Sequence, residues 1–403
     1  MHFLKSLRLD NFLSFPPGSA AIPLAPLNVI IGPNGSGKSN LIEALRLLNA
    51  TPTAFASAIR SGGGAREWLW KGTDTQSSAC IEAILSQKTG ANQPHHDLRY
   101  RLEFAAAGQR TEVIDEVIEE AEKRSLADKD VFFFYRFQKG NPIITKRDAP
   151  GTQESPTPLE RHSLKPDESV LSQRKEPDIY PELSWVSEQF SQIEIYTEWG
   201  FGRHTEARYA QAGDLPSDRL LPDSRNLGLV LNQLEHANAG IEFNRLLAQF
   251  LPRYQRFSTL IQGGTVQLYL HEHGLNTPVH AIRVSDGTIR FMAILAILLA
   301  PNPPPLICIE EPELGLHPDA MTLLADLLKA ASTRTQLIVT THSDALISAL
   351  SDDANCVLVC EYRKGTVLRR VEAEKLQGWL GQYKGNEKFP KAVTEKSSMA
   401  VNC

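Results

Sequence analysis

The residues best suited to chemistry form a glycine-rich run near the start of the chain. It consists of Gly32, Pro33, Asn34, Gly35, Ser36, Gly37, Lys38 and Ser39, and Asn40 directly after it is a further candidate nucleotide-binding residue. Glycines at these spacings let backbone N–H groups turn towards the β- and γ-phosphates, a lysine adds a fixed positive charge, and a serine hydroxyl can bind Mg²⁺. The run lies between an apolar segment, 27–31, typical of a buried strand, and a segment, 40–48, typical of a helix. It therefore predicts a nucleoside triphosphate site, although a glycine-rich turn before a helix also fits the short pattern.

Two adjacent acidic residues follow an apolar run far downstream. Residues 306–309 are typical of a buried parallel strand, and they lead directly into Glu310 and Glu311. Because the carboxyl ends of parallel strands carry the binding groups of α/β sheets, both carboxylates should face the triphosphate. Glu310 is suited to hold Mg²⁺, and Glu311 to act as the general base that activates water. Two surface acids that merely end a strand are the alternative.

Two further groups are placed for contact with phosphate. A second strand-like run, 336–340, leads to His342, whose imidazole could donate to the γ-phosphate or orient the water; a plain loop histidine is the alternative. Ser285, Asp286 and Gly287 precede the apolar run 291–300. We expect a buried helix there whose N-terminus binds an anion, while an N-cap serine on a core helix would explain the same residues.

Together these motifs resemble those of ABC-type ATPase heads, and more narrowly the RecF, SMC and OLD branch of the AAA-family ATPases. The glycine-rich loop, 285–288, 310–318 and 341–343 occur in the order of that family, and 7–15, 169–173 and 226–227 resemble its other segments. The resemblance implies an α/β fold of the P-loop NTPase, ABC-ATPase type. Such a fold has a mixed sheet, an antiparallel β subdomain and a helical lobe.

The resemblance also implies how the site works. It implies ATP and Mg²⁺ as ligands, with Lys38 among the catalytic residues. Ser285, Asp286 and Gly287 would form the signature motif that acts on the γ-phosphate held by a second protomer. Two chains would then close head to tail around two ATP molecules as a homodimer, with the segment 314–317 crossing between protomers.

The family also uses a glutamine to couple the metal site to the helical lobe. Gln173 is the candidate, as a metal-site residue, with Gln76, Gln138 and Gln189 as alternatives. The signature departs from the transporter form Leu-Ser-Gly-Gly-Gln, and Glu310 stands where transporters carry aspartate. A transporter-type ATPase subunit is therefore the less favoured alternative.

Composition limits the class of protein. The chain has 403 residues, a net charge of −5, 42% hydrophobic and 22% charged residues, which is typical of a globular protein. The apolar run 291–300 is too short for a membrane span, which needs roughly 20 residues. The five cysteines lack metal or disulfide spacing, which favours a reducing cytoplasm. Clusters of basic residues are short, so the charge pattern neither favours nor excludes contact with DNA.

We divide the chain into five parts. These are the N-terminal part of the ATPase core with the antiparallel β subdomain (1–140), a polar loop or linker (141–180), a helical lobe (181–280), the C-terminal part of the core (281–375) and a polar tail (376–403). Segments 78–85, 98–105 and 131–138 are predicted strands, and 111–120 fits a strand or a helix. Segments 182–196 and 227–250 are predicted helices.

The segment between the two core parts bears on the biological role. It lacks a sustained heptad pattern, which predicts a compact head without the coiled-coil arm of SMC proteins. The resemblance to short OLD-like heads implies an effector encoded separately, such as a nuclease, in bacterial DNA repair or phage defence. A nucleotide-gated scaffold or sensor with slow turnover is the alternative from another class.

Overall fold

The computed structural model describes residues 2–72, 78–87, 97–125, 127–138, 140–146, 155–200 and 202–371. The strands are β1 Leu4–Asp10, β2 Ile22–Pro23, β3 Leu27–Ile31, β4 Ser78–Leu85, β5 Leu98–Ala107, β6 Arg110–Glu120, β7 Phe133–Gln138, β8 Asn141–Lys146, β9 Ser155–Pro158, β10 Glu194–Tyr196, β11 Gln211–Ala212, β12 Tyr254–Gln262, β13 Thr265–Glu272, β14 Val279–His280, β15 Leu306–Glu310, β16 Gln336–Thr341, β17 Val357–Tyr362 and β18 Thr366–Arg370. The α-helices are α1 Lys38–Ala50, α2 Phe55–Ser61, α3 Val170–Gln173, α4 Pro181–Ser191, α5 Leu227–Glu235, α6 Ala239–Phe250, α7 Asp286–Leu298, α8 Ala320–Ser332 and α9 Asp344–Ala349. Short 3₁₀ turns cover Ala65–Trp68, Arg161–Ser163, Glu206–Arg208, Ala281–Arg283 and Ser351–Cys356.

A six-stranded sheet forms the centre of the molecule. Its order is β10-β15-β16-β3-β17-β18, and every neighbouring pair is parallel except β17 with β18. Val29 and Ile31 pack into one core with α7 and α8, whereas Ile30 packs into the other core with α1. Both faces of β3 are covered, which explains its continuous apolar run. The predicted strands before the loop, the two acids and His342 are confirmed, and their carboxyl ends meet at one edge.

An eight-stranded antiparallel sheet packs on the α1 side. Its order is β2-β1-β4-β5-β6-β7-β8-β9. Leu98, Tyr100, Leu102 and Phe104 of β5 alternate onto its buried face, as a half-buried strand requires. The predicted strands are confirmed, and the ambiguous segment 111–120 is a strand. The mixed sheet, antiparallel subdomain and helical lobe follow the predicted ABC-ATPase fold.

The segment 141–180, expected as a linker, contains strands and a short helix in its described residues. Its residues 147–154 lie outside the described part, but β8 and β9 extend the antiparallel sheet on either side of them. Ile144 pairs with Tyr135 and is fully buried. One buried isoleucine between polar and proline-rich stretches gives little periodicity, so the sequence did not reveal the strand.

The lobe between the two core parts contains sheet as well as helix. Helices α5 and α6 pack with α7 in the core that includes the inner face of the parallel sheet. The predicted helix 182–196 ends at Ser191, and Glu194–Tyr196 instead forms a parallel strand beside β15. Strands β11, β12, β13 and β14 form a small separate sheet. The tail 376–403 lies outside the described residues, and none of the helices in the described ranges is long and apolar enough to cross a bilayer.

Candidate active site

The glycine-rich run forms the loop between β3 and α1. Gly35 and Gly37 have φ values of +74° and +105°, which side-chain-bearing residues rarely adopt. A Cβ on Gly37 would lie 1.9 Å from Thr366 Oγ1, so the loop needs glycine there for space as well. Pro33, Asn34 and Gly35 are exposed at the tip. The N-terminus of α1 is therefore presented to an anion, as such loops require.

Lys38 lies behind the tip of the loop and points back into it. Its Nζ donates to Gly32 O at 2.7 Å and to Pro33 O at 3.2 Å. Burial lowers the pKa of Lys38, while the carboxylates of Glu310 and Glu311 act in the opposite direction. The ammonium is thus held by carbonyl groups that a phosphate would replace.

The loop is supported from below by two distant segments. Thr366 Oγ1 donates to Ser36 O at 2.8 Å and lies 2.6 Å from Ser14 Oγ. Asn40 Nδ2 donates to the same Ser14 hydroxyl at 2.7 Å, and Cys360 Sγ donates to Ser36 O at 3.4 Å. Neither Ser14 nor Thr366 was singled out from the sequence, because their contacts with the loop arise only from the tertiary fold.

Ser39 and Glu310 meet at the mouth of the loop. Ser39 Oγ donates to Glu310 Oε1 at 2.8 Å, although 271 residues separate them. A hydroxyl and a carboxylate are hard oxygen donors, and Mg²⁺ prefers one or two such protein ligands together with phosphate oxygens and water. The pair therefore fits Mg²⁺ in the way that the sequence predicted for these two residues.

Glu311 and His342 form a pair at the ends of adjacent strands. Glu311 Oε1 lies 3.2 Å from His342 Nε2, and both side chains are half-buried. Glu311 has a φ of +46°, a strained value for a residue with a side chain, and its N–H donates to Thr340 O at 2.9 Å. Strain of this kind persists where the surroundings fix the backbone, and it is common at catalytic positions.

Three further residues, which are not among those predicted from the sequence, hold this pair and the neighbouring Glu310. Glu313 Oε1 accepts from Thr341 Oγ1 at 2.5 Å and from His342 N at 2.9 Å. Arg290 donates to Glu311 O at 2.6 Å, and Trp199 Nε1 donates to Glu310 O at 2.7 Å.

Trp199 and Arg290 also contact each other. The Arg290 guanidinium lies 4.9 Å from the centroid of the Trp199 ring, a cation–π contact. Burial lowers the pKa of Arg290 to about 10. Trp199 follows β10, and recognition of that strand beside β15 would have drawn attention to it.

The signature residues open α7, as predicted. Ser285 is the N-cap, and its Oγ accepts from Thr288 N at 3.2 Å. Asp286 is exposed and pairs with the buried guanidinium of Arg208, which also donates to Ala281 O at 2.8 Å. A Cβ on Gly287 would lie 2.6 Å from Gly315 O. The N-terminus of α7 is thus exposed at Ser285 and Asp286, while Gly287 packs against Gly315 in the segment after Glu310 and Glu311.

Gln173 does not join these residues. Its Oε1 accepts from Lys165 N at 2.6 Å, and its Nε2 donates to Lys165 O and Glu168 O at 3.2 and 3.1 Å. The structure therefore does not support Gln173 as a metal-site residue, because the side-chain amide is occupied by its own loop.

Thr197 and Trp199 follow β10, at the strand end beside Glu310. Arg46 donates to Thr197 Oγ1 at 3.0 Å.

The hydrogen bonds around α3 converge on the buried carboxyl group of Glu116 and not on Gln173. Glu116 is fully buried and accepts from Val170 N at 2.8 Å, Ser169 Oγ at 2.5 Å and Tyr100 OH at 2.9 Å. Burial nevertheless raises the pKa of Glu116 to about 7. This carboxyl group holds the N-terminus of α3 to the antiparallel sheet.

Comparison with known families identifies the chain over most of its length. Residues 27–348 match the family model described as "AAA domain, putative AbiEii toxin, Type IV TA system". The Old nuclease of Escherichia phage P2 is 23% identical over 403 aligned positions, which cover 93% of this chain and 62% of that protein. The chain thus spans less than two thirds of the length of this relative.

SMC proteins are similar in part of the sequence and in the fold. The chromosome partition protein Smc of a Synechococcus strain is 40% identical over 67 residues, 16% of this chain and 5% of that protein. A crystal structure of an SMC head bound to the C-winged helix domain of ScpA has a TM-score of 0.58 at 15% identity, covering 93% of this chain and 99% of its own. An SMC head with an extended coiled coil, bound to the C-terminal domain of ScpA derived from Pyrococcus furiosus, has a TM-score of 0.55 at 12% identity and covers 95% and 100%. These structures show a shared fold.

Proposed function

We propose, from the premise that the chain belongs to this family of AAA domains, that it is an ATPase head of the SMC and OLD type. In this proposal it binds ATP with Mg²⁺, hydrolyses ATP to ADP and phosphate, and closes as a homodimer around two ATP molecules. The observation that carries the proposal is the Glu311–His342 pair, 3.2 Å apart beside the loop that holds Ser39 and Lys38.

The chemistry follows from the positions of these groups. Glu311 removes a proton from a water molecule, whose oxygen attacks the γ-phosphorus while the bond to the bridging oxygen of ADP breaks. His342 donates from Nε2 to a γ-phosphate oxygen and orients the water. Lys38 stabilises the negative charge that develops on the phosphates. Mg²⁺, when bound at Ser39 and Glu310, would neutralise charge on the phosphate oxygens.

The second protomer is proposed to complete each site. Ser285 and Asp286 are exposed at the N-terminus of α7, where the helix dipole favours an anion. A γ-phosphate held by the loop of a partner chain is such an anion, and head-to-tail closure would place one signature at each loop. Leu314, which is 51% exposed beside Gly315, would lie at the dimer interface.

The output of the ATPase is proposed to act through another protein. Hydrolysis changes a surface, and that change has an effect only through a molecule that binds the two states differently. The SMC heads with this fold were solved with ScpA bound, and the full-length sequence relative is a nuclease. We therefore propose a separately encoded effector, such as a nuclease, in DNA repair or phage defence in the bacterial cytoplasm, with DNA as a further possible ligand.

The test is the substitution of Glu311 by Gln. The amide keeps the size of the side chain but cannot accept the proton, so turnover should fall by a factor on the order of 10² or more while ATP still binds. Because ATP then persists, the variant should accumulate as a dimer. The measurements are phosphate release, calorimetric ATP binding, and molar mass by light scattering.

A matched control is Glu188→Gln, on the exposed face of α4. It should hydrolyse ATP at the wild-type rate. Wild-type turnover by the Glu311→Gln variant would exclude Glu311 as the base, and a monomer with saturating ATP would exclude the dimer.

A further inference from the structure

Two aromatic side chains lie together near Ser14 and Thr366, the residues that support the phosphate loop. The ring centroids of Trp70 and Tyr362 are 6.5 Å apart, and the ring planes are inclined by 38°. Tyr362 is 55% exposed, and Trp70 is half-buried. The distance is within the range of interacting aromatic pairs, and the two rings offer solvent-accessible π surface.

The backbone fixes this pair relative to the loop. Tyr362 pairs with Thr366 across the β17–β18 hairpin, and Thr366 Oγ1 donates to Ser36 O. Trp70 N donates to Asn11 O, three residues before Ser14. Ser14 O in turn accepts from Thr366 N at 2.7 Å. Both aromatic residues are therefore attached to the segments that support the loop.

The sheet order gives the direction in which a bound nucleotide runs. Glu311 and His342 follow β15 and β16, on one side of β3, and Tyr362 ends β17, on the other side. Since Val359 pairs with Ile31, Tyr362 lies three residues, roughly 10 Å, further along the strand direction, level with the loop. A triphosphate that lies along the loop with its γ end at Glu311 carries its ribose and base on the β17 side of β3.

We propose that Trp70 and Tyr362 form the subsite for the nucleobase of the bound nucleotide. A planar heteroaromatic base would stack on these rings, either between them or on their exposed faces. The inference rests on the proposed ATP site. Base–aromatic stacking contributes enough that truncation to alanine weakens binding by roughly 5- to 100-fold per base.

The test compares ATP with inorganic tripolyphosphate, which has the phosphates but no base. Trp70→Ala and Tyr362→Ala should each weaken calorimetric ATP binding at least fivefold and leave the competition constant of tripolyphosphate unchanged. Trp70→Phe, which keeps a stacking ring, should stay within about threefold of wild type. Tyr209→Ala, at an exposed tyrosine of the lobe, is the control and should bind ATP normally.

Fluorescence supplies a second measurement. ATP should quench the emission of the wild-type protein more than that of Trp70→Phe, because only the wild type has the indole at the subsite. Equal loss of ATP and tripolyphosphate binding, unchanged ATP binding in both alanine variants, or identical quenching would each overturn the proposal. If neither wild-type protein nor any variant bound ATP, the ATP site itself would be wrong instead.

Discussion

Replacement of Gly287 by alanine tests the contact between the signature helix and the segment after the acids. The new Cβ would lie 2.6 Å from Gly315 O, whereas ordinary contact begins at 3.4 Å. The clash is with a backbone carbonyl, which cannot rotate aside as a long side chain can. Either α7 or the segment around Gly315 must therefore move by about 0.8 Å.

A displacement of this size should affect turnover more than nucleotide binding. Misplacement of catalytic groups by about 1 Å can cost on the order of 10²-fold in rate. We therefore expect kcat to fall roughly 10- to 100-fold, since Gly315 lies four residues after Glu311 and faces the signature. ATP affinity should stay within about twofold, because the loop Gly32–Ser39 is not part of the contact. Phosphate release and calorimetry give the two values.

A matched control is Gly200→Ala, where a Cβ would meet nothing within 4 Å. This variant should retain wild-type turnover. A Gly287→Ala protein with kcat within twofold of wild type would refute the reasoning. A large loss of ATP affinity would show that the displacement reaches the phosphate loop and is not confined to Gly287 and Gly315. Denaturant unfolding of both variants excludes a global loss of structure.

Two further predictions concern action between protomers and the buried carboxyl group. Lys38→Ala should lose calorimetric ATP binding, and Ser285→Arg should retain it yet stay monomeric and inactive. Mixing the two should restore part of the ATPase activity through one composite site, whereas no recovery at any ratio would exclude action in trans. Because burial raises the pKa of Glu116 to about 7, its contribution to folding is complete below about pH 4.5 and is lost as the pH rises through 7, by up to roughly 3 kcal/mol. Glu116→Gln should flatten this part of the pH profile in urea unfolding, and an unchanged slope would contradict the shift.

The residues proposed to bind and hydrolyse ATP are predicted from the sequence. The loop, Glu310, Glu311 and His342 each follow a strand whose apolar run is local and strong, so both the element and its end could be predicted. The structure brings Ser39 to Glu310 and Glu311 to His342 as the parallel-sheet argument requires.

The residues that act through backbone contacts were not found. Trp199 binds the carbonyl of Glu310 across 111 residues, and its strand β10 has only three residues, which carry no periodic signal. Arg290 lies in an apolar helix, where the sequence indicates burial but not its partner, Glu311 O. Gln173 was selected by resemblance alone, and its local hydrogen bonds contradict that choice.

The partners of the central strand β3 are synthesised long after β3 itself, which matters while the chain is being made. Within the described ranges, strand β3 pairs with β16 on one side and β17 on the other, and Asn28 Nδ2 donates to a carbonyl 309 residues later. At 5–20 residues per second, a ribosome leaves both edges of β3 unpaired for roughly 15 to 60 seconds. The antiparallel sheet can cover the Ile30 face in that time, but unpaired strand edges favour association with other chains. Thr366 is made later still, so the loop gains its hydrogen bond from the β17–β18 hairpin only after the strands beside β3 have been made.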